Sequence, residues 1–214
     1  MENNTSKSEE LLIRESKIRK FYNNNKTFIF STFIFIFIFI FLTTIYLEFK
    51  KNKRIDLADD YIQAKVLISS NEKNQATNLL KSIVSQNDKV YSTLSLFTLL
   101  DENLLKNNQE ISKLFENLLQ NNKFEYEIEN LIIFKKALLQ SDYLDENELL
   151  KITKPLINSE SIWKNHALLL LGDYFFNKNQ RSKAKEFYIE IISSENKSNE
   201  FLQLAKSRLS FIDE

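Results

Sequence analysis

Acid–base chemistry in this chain has one obvious candidate, the single histidine, His166. A general base needs an orienting acid within hydrogen-bond reach. The nearest acid further along its helix is Asp173, seven residues on, or about 10 Å of helical rise. No cysteine or second histidine is available as a partner, so an ordinary groove or surface histidine is the expected role. Acidic clusters at Asp59-Asp60, Glu125/Glu127/Glu129 and Asp142/Asp145/Glu146/Glu148 offer carboxylates for a divalent ion. They lack the glycine-centred spacing of a calcium loop, and helix starts or solvated faces explain them better. No catalytic residue, metal or cofactor is therefore assigned. The chemistry that fits this residue set is recognition. Mixed apolar and polar side chains at helical spacing can hold a peptide, with anchors for affinity and polar groups for register. Two such sets stand out. The first is Ala58, Tyr61, Lys65, Ile68 and Ser69; the second is His166, Leu169, Asp173, Phe176 and Asn177.

Composition says which elements can position them. One Gly, one Pro and no Cys in 214 residues make turn-rich sandwiches, barrels and Rossmann folds improbable. They also exclude glycine-rich phosphate loops, disulfide frameworks and cysteine–zinc sites. Lys+Arg 29 against Asp+Glu 29 leaves no net charge, so bulk nucleic-acid binding is not indicated. No small-molecule substrate is evident either. Asn occurs 24 times and Arg only five, a bias expected of an A/T-rich genome. Asn23-Asn24-Asn25 is accordingly expected to be no more than a polar, mobile segment.

Thr27 to Leu47 is an uncharged run of 21 residues, mostly Phe and Ile. As a helix it measures about 31 Å, the thickness of a hydrocarbon core. The Phe/Ile alternation from Phe33 to Phe41 would read as a strand in water, but a lone strand in lipid leaves its backbone unpaired. The run exceeds a signal-peptide core, and Tyr46-Leu47-Glu48-Phe49-Lys50 offers no small-residue cleavage site. An uncleaved span over 27–49 is expected, with a polar tail over 1–26 and a helical domain over 50–214. Six basic residues precede the span and five follow closely. That difference leans toward a cytoplasmic tail and a translocated domain. The cluster Lys50, Lys51, Lys53 and Arg54 either marks the helix end or meets anionic headgroups.

The fold class expected is all-α: a single N-terminal transmembrane helix, then a tetratricopeptide-like (TPR-like) helical-hairpin solenoid. About nine helices follow from the periodicity: 56–70, 74–86, 89–106, 109–121, 125–140, 145–157, 160–177, 180–193 and 198–213. Short connections make neighbours antiparallel hairpins. In the C-terminal hairpin, small Gly172 and Ala184 fall where two helices cross most closely. Leu168, Leu171, Phe175, Tyr188 and Ile191 fill the space around the crossing. Ala64 and Ala76 repeat the small pair in the first hairpin, with Leu67, Leu80 and Ile83 around them. Asn71 and Asn179 stand at both inter-helix turns, where Asn is the next-best residue after Gly. Ala76 and Ala184 are 108 residues apart, close to three periods of about 34. Between them lie two irregular hairpins. One sets Phe97, Leu100 and Leu104 against Ile111, Phe115 and Leu118. The other sets Leu131, Phe134 and Leu138 against Leu149, Ile152 and Leu156. Pro155 should bend or end its helix, with Trp163 packed under the bend. Phe201, Leu202, Ala205, Leu209 and Phe211 would form a capping helix.

The order of tail, span and degenerate repeat, with the segments Leu150–Trp163, Ala167–Ile192 and Phe201–Ile212, resembles a known family. It is similar to the membrane-anchored TPR-like proteins grouped with the ancillary subunit of the SecYEG translocon (YfgM-like). Asn196 departs from that pattern where Pro is usual. The resemblance implies a bacterial inner-membrane protein with a cytoplasmic N-terminus and a periplasmic domain. Its implied partners are the SecYEG translocon and periplasmic chaperones. The expected function is a non-enzymatic adaptor. The alternatives are a scaffold for envelope assembly or cell division, and a cell-envelope hydrolase.

Overall fold

A computed structural model describes residues 2–194 and 198–213; Asn196, the departure from the family pattern, lies outside them. Among the described residues the chain is all-α, with no strand. The described residues form nine α-helices in order: α1 (Glu2–Ser69), α2 (Lys73–Ser85), α3 (Tyr91–Asp101), α4 (Asn108–Asn121), α5 (Tyr126–Gln140), α6 (Glu146–Ile157), α7 (Lys164–Asn177), α8 (Arg181–Ser193) and α9 (Asn199–Asp213). The chain forms two compact units, one ending at Asp56 and the other beginning at Leu57.

The first unit is the long run of α1. Its part from Asn24 onward includes a stretch apolar and long enough to cross a membrane, and none of that stretch is buried. Thr32, Thr43 and Thr44 return their hydroxyls to carbonyls of their own helix, those of Phe28, Ile40 and Phe41. A polar group in an apolar surrounding needs such a partner. Two expectations change here. Asn23–Asn25 are helical rather than irregular, and the Asn25 amide donates to the Phe21 carbonyl at 3.0 Å. No separate helix starts at 56, because nothing between Phe49 and Ser69 breaks one: the segment holds neither Gly nor Pro.

The second unit is a run of helical hairpins, and its turns rest on asparagine. Among the described residues four other than glycine have positive φ, and all four are Asn: Asn71 (62°), Asn87 (54°), Asn103 (52°) and Asn179 (58°). At three of them the helix ends in a Schellman motif, in which two amides close back on the last turn. Asn71 and Glu72 donate to Ile68 and Leu67; Asn103 and Leu104 donate to Leu100 and Leu99; Asn179 and Gln180 donate to Phe176 and Phe175. Asn179→Ala should therefore lower domain stability by about 1–2 kcal/mol, the cost of a left-handed residue with a Cβ and no local hydrogen bonding. Asn179→Gly should be neutral or stabilising. Urea denaturation of the two variants side by side measures the difference.

Asn103 also shortens α3, which ends at Asp101 rather than continuing to 106. α7 begins at Lys164 rather than 160, because Ser159 and Ser161 hold a turn ahead of it. The Ser159 hydroxyl accepts from the Ser161 amide, and the Ser161 hydroxyl accepts from the Trp163 amide. Pro155 lies inside α6, which ends two residues later at Ile157. The buried core falls into two clusters. One joins Leu57 and Ala64 of α1 to α2, α3, α4 and Ile132 of α5. The other runs from Ala137 of α5 through Leu149, α7 and α8 to Ala205 of α9. Helix α5 therefore contributes to both.

The first middle hairpin packs Phe97, Leu100 and Leu104 on the cluster of Ile111, Phe115 and Leu118 as expected, and the second buries a different face of α5 from that expected. On α3 the fully buried apolar residues are Leu96 and Leu99, while Phe97 and Leu100 are only half-buried. On α5 Ile132 and Ala137 are buried with Asn130 and Gln140, and Leu138 is exposed. Ile111, Phe115, Leu118, Leu149 and Leu156 are buried as expected, and Ile152 is half-buried. On α9 Ala205 is buried, but Phe211 is exposed.

Candidate functional site

Gly172 of α7 shows how closely the last hairpin packs. A Cβ built on it would lie 2.8 Å from Cδ1 and Cζ of Tyr188, and closer still to Cε1. Only a residue without a Cβ lets the α8 ring come this close to the α7 backbone. Ala184, Ala64 and Ala76 are likewise fully buried.

The Tyr188 ring is fully buried, and its hydroxyl donates to Asp173 Oδ1 at 2.7 Å. The same carboxylate oxygen accepts from Arg208 Nε of α9 at 2.8 Å. Asp173 thus ties α7 to α8 and α9 at once. Burial first, and then the Asp173 carboxylate, push the Tyr188 hydroxyl far above its ordinary value of 10.0. The folded pKa is raised, so above pH 10 the hydroxyl keeps its proton in the folded domain while the unfolded chain loses it. This contribution is present below pH 10 and is lost as pH rises above it. The wild-type domain should lose stability above about pH 10 more steeply than Tyr188→Phe, as read from melting temperatures across that range.

His166 sits among aromatic rings. Its imidazole centroid lies 4.9 Å from Trp163, 5.4 Å from Phe134 of α5 and 4.7 Å from Phe201 of α9. Its Nδ1 is 3.3 Å from the Ile162 carbonyl. Trp163, expected under the bend at Pro155, stacks on Phe134 at 5.6 Å and donates from Nε1 to the Glu127 carbonyl at 3.1 Å. The Ser161 hydroxyl donates to the Glu127 carboxylate at 2.6 Å. These contacts join α5, α7 and α9 at the N-terminal end of α7. Leu169 and Phe176 pack half-buried against the C-terminal core cluster.

At the C-terminal end of α7 an open cleft of about 270 Å3 lies beside the end of α5. Its walls are Ser141 and Asp142 on one side and Leu170, Asp173, Tyr174, Asn177 and Lys178 on the other. Two of the residues expected in a groove, Asp173 and Asn177, are among them. The Tyr174 hydroxyl donates to the Leu144 carbonyl at 3.2 Å, and burial raises its pKa above the ordinary value. Lys178 reaches back over the Tyr174 ring, 5.6 Å from its centroid. The lining therefore combines apolar Leu170 and Tyr174 with one cation and two carboxylates. Exposed Leu138, Leu139 and Tyr143 flank Ser141 and Asp142 in the chain.

In the first hairpin Tyr61, Lys65 and Ile68 lie along α3. The Tyr61 hydroxyl is 2.9 Å from that of Thr98, its ring is 6.2 Å from Tyr91, and Lys65 lies 3.6 Å from Glu102. Ile68 packs half-buried on the core. The structure thus brings Asp173 and Asn177 to one cleft, His166 to an aromatic cluster, and the α1 set to a helix–helix seam. Ser141 and Lys178 carry no signal in the sequence beyond being polar residues at helix ends, and Asp142 stands out there only as a carboxylate of an acidic cluster.

Within the acidic clusters Glu127, Asp145, Glu146 and Glu148 have local partners. Asp145 and Glu148 form a reciprocal capping box at the start of α6. Glu146 binds Lys183 at 2.5 Å and Gln180 at 3.3 Å, and the Lys183 hydrogen bond holds its carboxyl below the usual range. Lys183 also lies 5.2 Å from the Phe175 ring. Among the described residues no group of three or more carboxylates or histidines is placed to share an ion. Neither family models, curated proteins nor solved structures give a match to this chain.

Proposed function

We propose that this chain is a membrane-anchored, TPR-like adaptor that binds extended or helical segments of other proteins. The observation that carries this reading is the cleft between the ends of α5 and α7, lined by Asp173 and Asn177. It offers what a peptide site needs: an apolar wall for an anchor side chain and rim charges to set register. The all-exposed apolar stretch of α1 supports membrane attachment, since an unburied surface of Phe and Ile needs lipid around it. On this reading the chain is a single-pass protein of the bacterial inner membrane, its N-terminus cytoplasmic and its helical domain periplasmic. Its partners are then the SecYEG translocon and periplasmic chaperones. A photo-crosslinking residue at Asn177, with the intact chain in its membrane, should trap a protein adduct. Lys178→Glu should reduce the yield of that adduct. Adducts only to lipid or to the chain itself would overturn the adaptor reading. Protease added outside spheroplasts should remove the domain; protection would place it in the cytoplasm.

A further inference from the structure

The basic cluster beyond the apolar run has no role in the adaptor reading. Lys50, Lys51, Lys53 and Arg54 all stand exposed on α1. At about 100° per residue they occupy an arc of about 160°, and they rise about 6 Å along the axis. Glu48 and Asp56 fall on the opposite arc by the same count. Among the described residues only Lys51 of the four forms an ion pair, with Glu48 at 3.9 Å, and those two side chains are 67% and 63% exposed. A contact that long and that open does little to neutralise the lysine. Because α1 is unbroken from the apolar run through Arg54, these side chains cannot fold away from its end. The last uncharged residue of the run is Leu47, so the cluster begins about 4.5 Å further on, at the depth of the headgroup layer.

We propose that Lys50, Lys51, Lys53 and Arg54 form a one-sided cationic site for anionic phospholipid headgroups. The proposal rests on the membrane-anchored reading above. Phosphodiester headgroups supply the complementary charge, and juxtamembrane cations draw them by Coulomb attraction that falls off within a Debye length. The acids on the far arc leave that side without the attraction, so the lipid is recruited to one flank of the helix.

The test uses the full-length chain in phosphatidylcholine vesicles containing about one-fifth phosphatidylglycerol. Spin-labelled versions of each lipid report the fraction immobilised at the protein. Phosphatidylglycerol should be preferred about threefold or more in dilute salt, and the preference should approach one in about 0.5 M sodium chloride. The variant K50Q/K51Q/K53Q/R54Q should lose it, while K50R/K51R/K53R should keep it, since charge rather than side-chain shape is at work. No preference in the wild type, or one that survives in the glutamine variant, would overturn the proposal. A larger loss in inorganic phosphate than in chloride of equal ionic strength would assign the site to free phosphate and overturn it equally. Carbonate extraction of the wild type keeps the two readings apart. Release from the vesicles would overturn the anchor itself, and this proposal with it; retention without a lipid preference would overturn this proposal alone.

Discussion

Gly172→Ala is expected to destabilise the helical domain by about 2–3 kcal/mol, although alanine is the better helix former by about 1 kcal/mol. The gain in propensity is real but small beside the clash. A methyl group at 172 would meet three ring atoms of Tyr188, two of them at 2.8 Å. The ring has nowhere to go: it is fully buried, and its hydroxyl is held by Asp173, which is itself held by Arg208. Interiors at crystal-like density relax only partly, so either α7 and α8 separate or the hydroxyl leaves its acceptor. For a domain of this size the loss corresponds to roughly 5–10 °C in melting temperature. Adding Tyr188→Leu to Gly172→Ala should recover part of the loss, because leucine vacates the space the methyl needs. A double-mutant cycle would then show favourable coupling of about 1 kcal/mol or more. Strict additivity would show that the two residues do not share the crossing.

The crossing was readable in the sequence because glycine is so scarce there. A single Gly flanked by Leu168, Leu171 and Phe175, with Ala184 twelve residues on, leaves one close-packing arrangement. Asn71 and Asn179 were legible for the same reason, being in phase with the small residues. Asn87 and Asn103 take the same left-handed conformation, but they lie in the irregular middle, where no phase marks a turn. Helix α5 shows why that middle resisted. Ile128, Leu131, Ile132, Ile133, Phe134, Leu138 and Leu139 cover most of its circumference, so apolar spacing alone cannot select the buried face. The face chosen includes Asn130 and Gln140 and leaves Leu138 and Leu139 outside.

Of the residues that line the cleft, only Asp173 and Asn177 belong to the groove set read from the sequence, and their connections leave no mark in it. Asp173 was placed in a groove by its repeat position. What it does depends on Tyr188 and Arg208, separated from it by 15 and 35 residues. By sequence His166 has only a distant acid for a partner, whereas its neighbours are three aromatic rings from α5, the turn before α7, and α9. Contacts between hairpins depend on how the hairpins stack, and irregular hairpins leave little trace of that in the chain.

Those aromatic contacts set the second large effect. Trp163→Ala should cost about 3–4 kcal/mol, the range for truncating a packed aromatic that also carries a hydrogen bond. The indole stacks on Phe134, lies against His166 and donates to the Glu127 carbonyl. Its removal therefore leaves a void and an unpaired acceptor at the seam between α5 and α7. Trp163→Phe keeps a ring on Phe134 and loses only the donor, so about 1 kcal/mol is expected. The loss should be uneven along the chain. The core cluster of α2, α3 and α4 is filled by Leu80, Leu96, Leu99, Phe115 and Leu118 and does not depend on the indole. Hydrogen exchange in Trp163→Ala should therefore rise in α7, α8 and α9 while α2 to α4 stay protected. The cleft beside Tyr174 lies on the same α5–α7 seam, so crosslinking from Asn177 should weaken with it even at temperatures where the domain remains folded. Uniform loss of protection across α2 to α9 would mean that the two clusters unfold as one. In that case the aromatic cluster would support the whole domain rather than the C-terminal seam alone.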